Sequence, residues 1–101
     1  MEQFAYLLSK LEAVEEGEGT MLDNTVILLG SEIAQGNNHS HTDSPFLMAG
    51  SAGGYFQTGQ YLEYGAQPHN NLLVSLLNAM GVEANTFGDP AYCTGALSGL
   101  T

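Results

Sequence analysis

Glu32, His39, His41 and Asp43 lie within a dozen positions of one another, in the stretch GSEIAQGNNHSHTDSPFLMAG at residues 30–50. The whole chain has only three histidines, and two of them sit here at i and i+2. In an extended segment such a pair points the same way, so His39 and His41 are spaced to chelate one ion. Two imidazoles with one or two carboxylates suit zinc, manganese or iron. The AQGNN between Glu32 and His39 is flexible enough to bring the glutamate back toward them. The plainer reading of HSHTDS is a solvated turn in which Asp43 or Ser44 accepts a hydrogen bond from the backbone. His69 is a third imidazole, just before an apolar helix, where packing or a hydrogen bond is the default role. No serine sits in a nucleophile-elbow sequence.

The elements that must position these residues are short. Phe4, Leu7, Leu8 and Leu11 recur at helical spacing and predict a helix over residues 3–14. The acidic EEGEG that follows reads as a glycine-broken, solvated exit, with carboxylates that oppose the helix dipole. Thr25 to Leu29 form a continuous apolar or β-branched run closed by Gly30, the pattern of a strand buried on both faces of a parallel sheet. Pro45–Gly50 reads as a second strand with its proline at the tolerated first position. A weak hairpin is expected around Tyr61–Tyr64.

Residues 70–80, NNLLVSLLNAM, predict the clearest helix, capped by Asn70 or Asn71 and stopped by Gly81. It is apolar nearly all round and calls for cover on most sides. The tail from Thr86 carries the glycine and proline punctuation of an irregular, packed end.

Composition narrows the functions on offer. Eleven acidic residues face a single lysine, Lys10, and there is no arginine, for a net charge of −10. Such a surface repels phosphate backbones and excludes nucleic-acid binding. It also lacks the guanidinium that clamps oxyanions; a cation or a basic surface is its natural complement. No apolar run approaches the roughly 20 residues needed to span a bilayer, and the first residues lack the basic region of a signal peptide. Cys93 alone indicates either a packed thiol or half of a disulfide. A doubly buried strand and an all-apolar helix demand neighbours that 101 residues scarcely provide. The expectation is a partial domain over 1–101, completed by the remainder of the same domain or by a homo-oligomer.

The order strand–GSE–NHSH–PFLMAGSAGG, then HNNLLVSLLNAMGV and FGD near the end, resembles the C-terminal region of a bacterial family. Its members are exported proteins of uncharacterised activity, named for an HXXSHH motif and placed near the alkaline phosphatase and sulfatase superfamily. The resemblance runs from about Phe4 to Leu100. It implies an α/β fold in which this chain forms the C-terminal portion of an alkaline-phosphatase-like three-layer domain, short strands flanked by helices. It implies metal-assisted hydrolysis of a small phosphate or sulfate ester, in the periplasm or outside the cell.

The metal, whether zinc, manganese or calcium, would be held in part by Glu32 and His39, with His41 as a further ligand. Glu32 stands where an aspartate is usual and Ile33 where many members have a second ligand. The nucleophile and the first ligands belong to the N-terminal half, so this chain by itself is expected to be inactive. The contrasting expectation is a non-enzymatic acidic interaction module that oligomerises through its apolar helix.

Overall fold

Helix α1 spans Glu2–Glu12. Phe4, Leu8 and Leu11 form its half-buried stripe, while Tyr6 and Leu7 face outward. The Lys10 ammonium lies 5.1 Å from the centre of the Tyr6 ring, one turn away, a cation–π contact that occupies the only basic side chain. The helix stops at Glu12, earlier than the sequence pattern suggested, and the acidic exit is not a loop. Glu15–Glu16 (β1) and Gly19–Thr20 (β2) close a small antiparallel hairpin. Gly17, at φ 62°, supplies the left-handed residue that such a tight turn requires. The Asp23 carboxylate locks the exit by accepting from Thr20 N at 2.8 Å and from Thr20 Oγ1 at 3.2 Å.

The apolar run resolves into β3, Ile27–Gly30, and the second strand into β4, Phe46–Ala49. Together they form a two-stranded sheet. Their pairing is antiparallel, Ile27 opposite Ala49 and Gly30 opposite Phe46. This corrects the expected parallel, doubly buried strand. Leu29, Phe46 and Leu47 are all exposed. The physical reason lies in the connection: residues 31–45 form no crossover helix, and without one consecutive strands pair antiparallel.

Past β4 the backbone crosses tightly over the start of β3. Gly50 has φ 87°, and a side chain there would collide with the carbonyls of Thr25 and Leu22. Ala52 N donates to Thr25 O at 3.0 Å, and Gly53 N and Ser51 Oγ both donate to Asp23 O at 2.8 Å.

The computed structural model describes Met1–Thr101, which divides into two compact units, Met1–Gly53 and Gly54–Thr101. No residue of the first unit is buried. Every buried hydrophobic residue, Phe56, Leu72, Val74, Cys93 and Leu100, belongs to the second. That unit is built on α2, Asn70–Ala79. Its buried face carries Asn71, Leu72, Val74 and Ser75, with Val74 at 0% exposure, while Met80 just beyond it is exposed. Gly81 ends the helix at φ 83°, and Val82 N returns to Leu77 O at 3.0 Å. The amino end differs from expectation: His69 is the N-cap, without a side-chain capping bond, and Asn71 turns inward.

Asn71 Nδ2 donates to Gln67 Oε1 and to Thr94 Oγ1, both at 2.8 Å, and its Oδ1 accepts from Thr94 N at 2.9 Å. Ser75 Oγ accepts from Leu97 N at 2.9 Å. The irregular tail, with a 3-10 turn at Pro90–Tyr92 capped by Asp89, is thereby stitched to the helix by fully paired polar groups. The Tyr61–Tyr64 hairpin does not form. Instead Gln60 Nε2 donates to Gly99 O at 2.8 Å and the Tyr64 hydroxyl to Ser98 O, tying this stretch to the tail.

Candidate metal centre

The candidate residues all hang on the connection between β3 and β4. Ser31 turns the chain out of β3, accepting from Ile33 N and donating to Ile33 O at 2.9 Å. Ala34 N then donates to Ser40 O at 2.7 Å, and Gln35 bridges Ser40, so residues 34–40 make a small antiparallel excursion. Within it Asn38 is the organising side chain. Its Nδ2 donates to Gln35 Oε1 at 2.9 Å and its Oδ1 accepts from Ser40 N at 3.0 Å, a local turn of the Asx kind. Ser40 Oγ and Thr42 Oγ1 lie 2.8 Å apart.

His39 occupies the tip of this excursion at φ 54°, and Asp43 follows at φ 55°. The left-handed region is uncommon for residues other than glycine, although His and Asp tolerate it better than most. This geometry overturns one step of the sequence argument. His39 and His41 are not alternate residues of an extended segment, so their spacing does not place both rings on one side. The expected turn acceptors are also replaced. Asn38 and Ser40 do the capping, and the Ser44 hydroxyl donates, to His41 O at 3.4 Å.

What the fold does bring together is His41 and Glu32. His41 Nδ1 lies 2.6 Å from the backbone carbonyl of Glu32. A carbonyl only accepts, so Nδ1 is the donor of this bond, which in the neutral tautomer leaves the lone pair on Nε2. Both residues are exposed. A histidine held through its other ring nitrogen by a backbone carbonyl is the usual arrangement of a metal-ligating imidazole. The contact thus raises His41 to the first-ranked candidate, ahead of His39.

The donor count is smaller than a complete site needs. No group of three His, Cys, Asp or Glu side chains converges. The contact between His41 and Glu32 runs through the Glu32 main-chain carbonyl rather than its carboxylate, and a full coordination sphere requires ligands beyond these two residues. His69 belongs to the second unit, where its carbonyl caps α2 by accepting from Leu72 N at 2.9 Å and Leu73 N at 3.3 Å. Cys93 is a buried free thiol. A separate cleft of about 650 Å³ in the second unit, lined by Tyr55, Asn78, Glu83 and Asn85 among others, offers one carboxylate and no imidazole.

Burial raises the Tyr64 phenol above the usual value of about 10. Sequence reasoning missed the Asn71–Thr94 pairing and the Tyr64 tether. The signal for the first was an asparagine pair opening an otherwise apolar helix; it suggested a cap rather than a buried crosslink.

No protein-family model matches the chain, and neither a curated protein nor a solved structure matches it.

Proposed function

We propose that this chain contributes one wall of a metal-assisted ester hydrolase site, as the C-terminal portion of an alkaline-phosphatase-like domain in an exported protein. Glu32 and His41, with His39 as a further donor, would hold part of a divalent ion. The observation that carries this reading is the hydrogen bond from His41 Nδ1 to the Glu32 carbonyl, which in the neutral tautomer leaves the lone pair on Nε2. The resemblance of the GSE–NHSH–PFLMAG order to the HXXSHH-motif family supports the reaction class. When bound, the ion would polarise the ester oxygen and stabilise negative charge in the transition state.

The protein's own part is to fix the imidazole against a backbone carbonyl and to hold a carboxylate at the end of β3. The acidic chain favours a cation in this loop and disfavours a free anionic ester without one. A nucleophile and the remaining ligands would come from beyond these residues.

The alternative of an acidic module assembling through its apolar helix has less support, because α2 already buries Leu72 and Val74 within its own unit. No helix of the chain is long and apolar enough to cross a membrane.

Calorimetric titration with zinc, manganese and calcium tests the reading. The chain should bind one of them weakly, and His41→Ala should weaken that binding at least tenfold. Glu32→Ala and His39→Ala rank the other two donors. The isolated chain should show no phosphatase or sulfatase turnover. Affinity unchanged by all three substitutions would reduce the loop to a turn.

A further inference from the structure

We infer that the cleft at the carboxyl end of α2 is a binding site for a small organic ammonium ion. The cleft has a volume of about 650 Å³ and is lined by Tyr55, Asn78, Gly81, Glu83, Ala84 and Asn85, all within the second unit. The way the helix ends builds it. Gly81 turns the chain back at φ 83°, Val82 N donates to Leu77 O at 3.0 Å, and Ala84 N donates to Asn78 Oδ1 at 3.0 Å. These bonds hold residues 81–84 against the last turn of α2. Tyr55 adds an aromatic wall. Its ring meets that of Phe56 edge-on, with centroids 5.1 Å apart, and Phe56 is buried, so the tyrosine is anchored beside the core. Tyr55 itself stays 38% exposed. Three of the lining residues are an amide or a carboxylate, so the cleft, unlike an apolar face, does not call for further chain to cover it.

Charge selects the occupant. The carboxyl end of a helix is the negative end of its dipole, and α2 has no basic residue in its last turn. Exposed Glu83 adds a full negative charge just beyond that end. No lysine or arginine lies anywhere in Gly54–Thr101 to neutralise either one. An anionic ligand meets repulsion here. A divalent metal ion wants several oxygen ligands, whereas the cleft offers one carboxylate, and Asn78 Oδ1 already accepts from Ala84 N. An aromatic ring, by contrast, attracts an organic cation through its quadrupole. Ring, carboxylate and helix end together favour an alkylammonium group. The inference is independent of the metal reading, which concerns the other unit.

The test is a nuclear magnetic resonance titration of the full chain at constant ionic strength, with choline and with its neutral carbon isostere 3,3-dimethylbutan-1-ol. Choline should give saturable shifts at Tyr55 and at Gly81–Asn85, with the isostere weaker by about fivefold or more. Glu83→Gln should weaken choline binding by a similar factor. Glu63→Gln, which removes the same charge elsewhere in the unit, should leave it unchanged. Tyr55→Leu should weaken binding while Tyr55→Phe retains it, since the ring and not the hydroxyl makes the contact. Equal affinity for the isostere would overturn the inference. So would equal loss in Glu63→Gln, indifference to Tyr55→Leu, shifts centred elsewhere, or displacement of choline by calcium at equal concentration.

Discussion

His41 and His39 are neighbours of the same type, yet their backbones give them different jobs. His41 is held by a carbonyl through one ring nitrogen, whereas His39 sits at φ 54° at a loop tip. The left-handed conformation costs an L-residue on the order of 1 kcal/mol, which glycine avoids. His39→Gly should therefore raise the midpoint of urea denaturation, by up to about 1 kcal/mol of stability. If His39 also binds metal, the same variant gains stability while losing affinity, a split that a purely structural residue does not show.

Tyr64 belongs to the same scale. Its folded-state proton affinity is raised by burial. Below pH about 10 the phenol is protonated in both folded and unfolded chains, and its contribution is fully present. As pH rises further the unfolded chain loses its proton first, so stability falls through the folded-state value. Tyr64→Phe should remove that part of the alkaline loss, measured by denaturation across pH 9–12.

Two elements depend on single residues in ways that differ in kind. The chain crossing after β4 depends on absence of volume. Any side chain at Gly50 meets two carbonyls and must also adopt φ 87°. Gly50→Ala should cost about 2 kcal/mol or more and loosen the connection between β4 and the start of β3. Helix α2 depends instead on a filled polar position. Asn71 is 2% exposed, and its amide pairs with Gln67 and with the hydroxyl and N–H of Thr94. Truncating it removes three hydrogen bonds, but their partners Gln67 and Thr94 are exposed and can turn to water, so Asn71→Ala should cost about 1–2 kcal/mol. Thr94→Val removes one hydroxyl and leaves the backbone bond from Thr94 N, so a smaller loss is expected in the same chemical denaturation.

Across the whole molecule, burial is uneven. The second unit owns every buried hydrophobic residue, while the first has a helix, a hairpin and a ribbon with half-buried contacts only. Local opening free energy follows buried apolar contact. Hydrogen exchange should be slowest over Asn70–Ala79 and much faster over Glu2–Glu12 and Ile27–Gly30, despite their regular hydrogen bonds. The loop that carries Glu32, His39 and His41 lies in this less buried unit.

The presence and approximate bounds of α1, β3, β4 and α2 were legible in the residues, because apolar periodicity and glycine or proline stops are local signals. So was the clustering of Glu32, His39 and His41 between two strands. Three things required the tertiary structure. Strand direction was one, since a continuous apolar run is the same in a parallel and an antiparallel ribbon and only the route of residues 31–45 decides it. The second was which histidine ring is held in place, because a carbonyl nine residues away engages His41 Nδ1 and the backbone at His39 breaks the alternation that spacing assumed. The third was the inward turn of Asn71, whose partner Thr94 is remote in sequence. Local chemistry is written in neighbouring residues, while pairing and burial depend on what the folded chain places beside them.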